Sequence, residues 1–367
     1  MGWFATTANA ARAARIDPER PDVTTLWSGP MKVDTGIMAG ALDDIAVRAR
    51  ELEELGYDGL ITAETASDPF LPLVIAAEHT ERIELGTGIA VAFARTPMLT
   101  AYTANDLQRH SKGRFFLGLG SQIKPHIERR FSMPWSHPAP RMREYILAMR
   151  AIWLSWSDGT KLDFRGDFYT HTLMTPFFSP GPNPYGPPKV LLAAVGELMT
   201  EVAGEVADGV LIHGFTTERY VKEVTVPAIE RGLAKAGRAR SDFEISGPLF
   251  VVTGTNEQEF ATAKQAVRQQ VAFYGSTPAY RPVLELHGWG DLQPELTRLS
   301  KQGEWVQMGE LIDDDVLAAF AVVAEPDAIG PELIRRYAGV VDRCSFYAPY
   351  RADPDRWAAV IATLQAA

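Results

Sequence analysis

The chain has 367 residues, 46% apolar and 22% charged, which is enough to bury a large core without staples and too apolar for a disordered chain. Its 36 Lys and Arg against 46 Asp and Glu leave a formal charge of −10, which argues against nucleic acid as a partner, because neutralising phosphates needs a basic face. The single cysteine, Cys344, excludes an intrachain disulfide and a cysteine-built zinc cage and fits a reducing, cytoplasmic setting. No apolar run approaches the roughly 20 residues of a membrane helix, so no membrane partner is expected.

Residues 1–30 stand apart. Ala8–Arg15 has the pattern of a short helix, stopped by Asp17-Pro18-Glu19-Arg20-Pro21, since proline removes a donor and restricts its neighbour. There is no apolar h-region, so the segment does not read as a signal peptide. It reads as an N-terminal extension or an arm on a partner, with a lid over a site as the alternative. Residues 31–367 form the predicted domain.

From Met31 onward, strand and helix patterns alternate. Lys32–Met38 reads as a short strand. Leu42, Ile45, Ala49, Leu52 and Leu55 then fall mostly three or four apart, the spacing of an amphipathic helix. Gly56-Tyr57-Asp58-Gly59 is a turn into an apolar strand, Leu60–Ala63, that ends at Glu64. A helix over Leu71–His79, a strand over Ile83–Val91, a helix starting after Pro97 and a strand over Arg114–Leu119 follow. Val190–Val195, Gly209–His213, Phe243–Thr253 and Cys344–Tyr347 complete a set of eight. Eight alternating units predict an α/β fold: a closed (β/α)8 TIM barrel rather than an open doubly wound sheet. "GYDGL" at 56–60 and "VADGV" at 206–210 are faint echoes of each other, both entering strands through Asp-Gly.

Two stretches exceed simple connections, Gln122–Lys189 after strand four and Ser276–Val341 after strand seven. The first carries a helix at about Arg141–Ser155 and ends in "SPGPNPYGPP", a stiff connector or part of a lid. Insertions after a strand lie at the C-terminal face of a barrel, where its site lies. The usual motifs are absent: no G-x-S-x-G, Walker A, H-E-x-x-H or C-x-x-C. The seven histidines show no helical metal-ligand spacing, so no metal site is expected. What remains is small residues at strand ends: Gly86-Thr87-Gly88-Ile89, Gly118-Leu119-Gly120-Ser121 and Ala193-Ala194-Val195-Gly196. Each alone is a tight turn. On one barrel face, the three would let a flat, phosphate-bearing cofactor approach the backbone and a helix start.

"IELGTGIAVAFARTP" (83–97), "GRFFLGLGSQ" (113–122) and "VLLAAVG…EVADGVLIH" (190–213) resemble, in order, the bacterial-luciferase-like superfamily of flavin and deazaflavin oxidoreductases. The resemblance runs from about Met31 to the C-terminus, and "FYGSTPAYR" (273–281) points to the branch that uses coenzyme F420. It implies a (β/α)8 barrel with coenzyme F420, or alternatively FMN, at the C-terminal face, a small organic substrate and a homodimer. It implies a non-prolyl cis peptide at Gly88–Ile89 beside Ala90, cofactor contacts from Gly118, Gly120, Ser121 and Gln122, and a phosphate loop at Ala194, Val195 and Gly196. Many deazaflavin members end strand two with Asp-His, whereas this chain has Glu64-Thr65. Threonine cannot replace an imidazole as an acid or base at neutral pH, so proton handling falls to Glu64 or His126. Glu64 either works as an acid or only caps or pairs with an arginine.

The remaining candidates sit in loops. Lys124, His126, Arg129 and Arg130 either bind anionic parts of cofactor or substrate or form a solvated face. Arg95 has the same two readings. His213 points into the barrel mouth, against the cofactor, or into a hydrogen-bonded core. Asp68 reads as a turn or cap. Phe70, Phe93, Trp135 and Trp289 either wall an apolar substrate pocket, with Arg95, Lys124 and Arg130 around it, or belong to the core. The expected activity is hydride transfer between the deazaflavin and an organic substrate. An FMN-dependent monooxygenase and a non-catalytic cofactor-binding barrel are the alternatives.

Overall fold

Alternating apolar strands and one-sided helices can bury both faces of a parallel sheet only by wrapping helices around it, and the chain does so. The computed structural model describes residues 30–37, 42–351 and 354–367. The expected extension at residues 1–30 therefore lies, except for Pro30, outside the described residues. Eight parallel strands close in chain order: β1 (Lys32–Ile37), β2 (Gly59–Thr62), β3 (Glu84–Thr87), β4 (Phe115–Gly120), β5 (Lys189–Ala194), β6 (Gly209–Ile212), β7 (Glu244–Val252) and β8 (Arg343–Tyr347). β8 pairs with β1 through Lys32↔Arg343 to Asp34↔Ser345 and shuts the barrel. The helices around it are α1 (Ile45–Glu54), α2 (Leu71–His79), α3 (Pro97–His110), α4 (Pro138–Asp158), α5 (Glu197–Val206), α6 (Val226–Ala236), α7 (Pro326–Tyr337) and α8 (Pro354–Gln365). Thr96 caps α3 by accepting the Leu99 N–H, with Pro97 supplying the preset first turn. No described helix is long and apolar enough to cross a membrane.

The Asp-Gly echo has a structural cause, and it occurs three times. Asp58, Asp208 and Asp342 stand just ahead of β2, β6 and β8. The Asp58 carboxylate accepts the Val33 N–H at 2.7 Å, and its carbonyl accepts the Glu84 N–H at 2.8 Å. Asp208 does the same for Val190 and Glu244, at 2.8 and 3.0 Å. Asp342 does it for Ile245 and Lys32, at 2.6 and 3.0 Å. Each aspartate ties the first turns of the strands on either side of it and pins their register at the N-terminal rim.

Inside that rim lies a charged plug. Arg343, 1% exposed, donates from Nε and Nη2 to the two oxygens of Asp34 and from Nη1 to Glu84 and Glu244, every bond at 2.7 Å. Lys32 completes Glu84 at 2.6 Å and Lys189 completes Glu244 at 3.1 Å, so three cations meet three carboxylates. The guanidinium also lies over the Phe116 ring, 4.8 Å from its centroid. Gly59 is glycine because a Cβ there would fall inside the Asp34 carboxylate. Losing one partner of such a buried pair costs about 3–5 kcal/mol, since the other charge is left unpaired.

One sequence expectation needs correction. The third strand is not continuous over 83–91: it stops at Thr87 and resumes at Ala90–Val91, which pairs with Leu119–Gly120 of β4. The second insertion is built mainly of helices. It carries helices Arg281–Leu286, Leu292–Gln302, Trp305–Glu310 and Asp314–Phe320, then a strand, Ala321–Val323, parallel to Phe250–Val252 of β7. With helix Glu257–Gly275 this insertion has a second hydrophobic core, including Phe215, Phe250, Val267, Leu296, Leu317 and Phe320. The first insertion holds α4 and a short antiparallel hairpin, Phe164–Arg165 with Thr170–His171.

Burial alone would raise the Glu244 carboxyl, but the charges of Arg343 and Lys189 outweigh it and bring it from an ordinary 4.5 to about 2. Ionised Glu244 therefore stabilises the fold above pH 4.5, and that contribution fades as the pH falls toward 2. Glu244→Gln is expected to be less stable than the parent at neutral pH, with the gap narrowing below pH 4.5. Denaturant melts of both proteins across that range measure it, and a gap that stays constant contradicts the account.

Candidate active site

The C-terminal ends of the strands form the barrel mouth, where glycines let the backbones of β3 and β4 approach each other closely. Between Thr87 and Ala90 the Gly88–Ile89 peptide is cis. Gly88 N–H donates to Thr62 O at 2.7 Å and Glu64 N–H to Ile89 O at 3.1 Å, so the break in β3 is fastened to β2. On the other side, the Thr87 hydroxyl donates to Gly118 O at 2.7 Å and accepts the Gly118 N–H at 3.0 Å. A Cβ on Gly118 would fall inside the Thr87 carbonyl, and one on Gly120 would sit 2.7 Å from the Ile89 side chain. Ala90 is buried against Leu119. Ser121 and the left-handed Gln122 (φ 59°) end the strand half-exposed, with the Ser121 hydroxyl donating to Gln122 O at 3.1 Å.

Glu64 stands at the rim above β2 with its side chain 7% exposed. Its Oε2 accepts the Val91 N–H at 2.7 Å and Arg95 Nη1 at 2.6 Å. Arg95 also reaches Asp68 at 3.3 Å and lies over the Phe70 ring, 5.3 Å from its centroid. Asp68 caps α2 by accepting the Phe70 N–H at 2.8 Å. Arg130 donates to Thr65 O and lies over Phe131. The structure thus brings Glu64, Arg95, Phe70 and Arg130 to one edge. Lys124, which pairs loosely with Glu128 at 3.8 Å, and His126 are exposed on the loop after β4.

The opposite edge is aromatic. His213 follows β6, and its Nδ1 accepts the Phe215 N–H at 3.0 Å, so the neutral ring carries its proton on Nε2. Burial pushes its basicity down to about 4. Its ring stacks on Tyr280 and meets Tyr274 edge-on, both at 4.6 Å. The Tyr274 and Tyr347 hydroxyls lie 2.6 Å apart, and burial raises Tyr280 to about 12. Between the two edges, Ala194 is buried, Val195 is 37% exposed, and Gly196 caps α5 with nothing within 4 Å of a Cβ. The N–H groups of that first helical turn suit an anion.

Sequence reasoning missed three of these groups. Tyr274 and Tyr347 meet across 73 residues of chain, which no local pattern reveals. Arg141, buried in the first turn of α4, looked like an ordinary helix residue. Of the four aromatic candidates, Phe70 and Phe93 are buried, Trp135 packs edge-on against Phe93 at 5.7 Å, and Trp289 stacks instead on His287 in the second insertion.

The family model described as luciferase-like monooxygenase matches residues 22–343. The uncharacterized protein Rv1360 of Mycobacterium tuberculosis (strain H37Rv) is 61% identical over 313 residues, 85% of this chain and 92% of that one. A 5,10-methylenetetrahydromethanopterin reductase of Archaeoglobus fulgidus is 29% identical over 264 residues, 70% of this chain and 74% of that one. Among solved structures, the coenzyme F420-dependent tetrahydromethanopterin reductase of Methanopyrus kandleri superposes with a TM-score of 0.73 at 20% identity, covering 91% of this chain and 98% of that one.

The two glycines of the mouth separate structure from binding. Gly118→Ala must displace the β3 backbone and is expected to lower stability by about 1–3 kcal/mol or more. Gly196→Ala, with open space around it and φ −96°, is expected to cost only the loss of an N-cap glycine, less than about 1 kcal/mol. Thermal melts of the two variants check this, and equal melting temperatures would refute the packing account of Gly118.

Proposed function

The chain belongs to the luciferase-like monooxygenase family, and on that premise we propose that it is a coenzyme F420-dependent oxidoreductase, passing a hydride between the reduced deazaflavin and a small organic substrate. The observation that carries this reading is the shape of the mouth. The half-exposed Gly88–Ile89 segment, which runs on into the buried pairing of Ala90–Val91 with Leu119–Gly120, would back a flat ring, and the open start of α5 at Gly196 would take a phosphate. A sequence relation to a putative coenzyme F420-dependent oxidoreductase of Mycobacterium tuberculosis, 27% identical over 294 residues, favours the deazaflavin.

When bound, the deazaflavin supplies or accepts the hydride. The protein's part is binding, orientation and proton handling. Gly120, Ser121 and Gln122 at the end of β4 would border the ring, with Gly118 packed behind them against the Thr87 carbonyl, and Ala194, Val195 and Gly196 would cradle the phosphate. His213 offers a neutral N–H donor from the far edge. Reduction of a polar double bond also consumes a proton. Glu64 is the proposed carrier, since Arg95 and the Val91 N–H hold its Oε2 and leave Oε1 without a hydrogen bond among the described residues. His126 is the second candidate, and Phe70, Arg95, Lys124 and Arg130 are assigned to the substrate side. Cys344, buried in β8, suits a reducing cytoplasm.

The family's monooxygenase description supports a second reading, FMN with oxygen as co-substrate. A deazaflavin has carbon in place of the reactive flavin nitrogen and reacts poorly with oxygen, so the two readings differ in oxygen demand. Fluorescence titration of the purified protein with coenzyme F420 and with FMN, side by side, is expected to show tighter binding of F420. Preferential binding of FMN would replace this reading with the oxygen-dependent one, and binding of neither would end both. Once a substrate is in hand, Glu64→Gln is expected to lower kcat by about 10²-fold or more while F420 affinity holds. An unchanged kcat would move the proton role to His126.

A further inference from the structure

Four ionisable side chains with a formal charge are buried among the described residues: Asp34, Arg141, Asp342 and Arg343. Asp34 and Arg343 neutralise each other at 2.7 Å, and Asp342 is paired with Arg240 at 2.9 Å. Arg141, 7% exposed, has no carboxylate within 4.0 Å among the described residues. Its Nε donates to the Tyr169 hydroxyl at 2.9 Å and its Nη1 to Pro134 O at 2.7 Å, both neutral acceptors, and its Nη2 has no hydrogen bond among the described residues. The guanidinium lies over the rings of Phe93 and Tyr169, 4.4 and 5.7 Å from their centroids. Ring faces and carbonyls offset only part of the cost of burying a full charge.

The nearby acids are engaged elsewhere. Glu144, one turn along, accepts the N–H groups of Asp167, Phe168 and Tyr169. Glu64 and Asp68 belong to Arg95. Arg141 also sits in the first turn of the 21-residue α4, and that turn carries no acid, so the positive end of the helix dipole adds to the unbalanced charge. This turn follows the loop after β4, and Phe93 follows the resumed end of β3. The cation therefore lies on the C-terminal side of the barrel beside the segment that follows β3, with the half-buried rings of Trp135, packed on Phe93, and Tyr169, packed on Tyr145, next to it.

We propose that Arg141 is a substrate-binding residue that receives a carboxylate carried on a flat aromatic or conjugated body, with Trp135 and Tyr169 against that body. The inference rests on the mouth being the reaction site. It makes the substrate an aryl or enoyl carboxylate, and the conjugated double bond of an enoyl one is reduced by a hydride at the β carbon and a proton at the α carbon. Charge complementarity carries it: a buried guanidinium with free N–H donors, a helix N-terminus and no counter-ion.

The test uses the full chain without added cofactor, titrated calorimetrically with benzoate, benzyl alcohol and inorganic phosphate. Benzoate is expected to bind at least about tenfold more tightly than benzyl alcohol, and Arg141→Gln to abolish that preference. Trp135→Leu is expected to weaken benzoate several-fold, which keeps the test decisive should Arg141→Gln fail to fold. Three results would overturn the proposal: no benzoate binding, no preference over the alcohol, or affinity indifferent to both variants. Phosphate bound in preference to benzoate, and lost in Arg141→Gln, would also overturn it by assigning the arginine to the phosphate of the cofactor. No arm involves the deazaflavin, so failure here and failure of the F420 titration are separate results.

Discussion

The barrel depends on one guanidinium. Arg343 enters from the first residue of β8 and binds carboxylates from β1, β3 and β7, so four of the eight strands converge on one side chain. A closed parallel barrel needs its interior filled at the narrow end, and apolar side chains would do that without choosing a register. A charge set works only in one register, because a slip of one residue turns the carboxylate to the other face of the sheet. The cost of desolvating Arg343 and Asp34 is offset only when every partner is present, which the match of three cations to three carboxylates, the two lysines reaching in from solvent, provides. The three rim aspartates repeat the same logic with backbone N–H groups in place of the guanidinium.

With the base pinned in this way, the opposite end is free to be built for approach rather than for strength. Its floor is closely packed backbone, its two edges differ in chemistry, and each edge is held from behind. Glu64 is oriented by Arg95, and Arg95 by Asp68 and the Phe70 face. His213 is oriented by the Phe215 N–H and by two tyrosine rings. A site supported in this manner meets its ligand with few rotamers left to freeze, which is what positioning a hydride and a proton requires.

The barrel itself was legible from alternating periodicity, because each strand is a short apolar run and most of the helices between them show a single apolar stripe. The position of both insertions and the glycine-lined strand ends were legible for the same local reason. What escaped was non-local. The split of β3 is fastened by hydrogen bonds to Thr62 and Glu64 at the end of the neighbouring strand; periodicity within 83–91 does not signal it, whereas the resemblance did point to the cis peptide at Gly88–Ile89. Ala321–Val323 is too short to distinguish from the end of the preceding helix, and it becomes a strand only because β7 offers it partners. The tyrosines of the far edge come from an insertion helix and from β8, and Arg141 stands out only once the absence of a neighbouring acid is visible.

β7 has a role that its length alone would not suggest. Ile245, Leu249 and Val251 face the barrel core, whereas Phe250 and Val252 face the core of the second insertion. Near its start β7 pairs with β6, and at its far end with the insertion strand. The two cores therefore share one ribbon of backbone, alternating by side-chain parity, and a disturbance of either is transmitted as strain on the other. The aromatic edge spans the same divide, since His213 leaves the barrel and Tyr274 and Tyr280 come from the insertion. A molecule gripped there acts as a rivet between the two bodies, and occupancy of the mouth would be felt as slower amide exchange through parts of the insertion well beyond the tyrosines it touches.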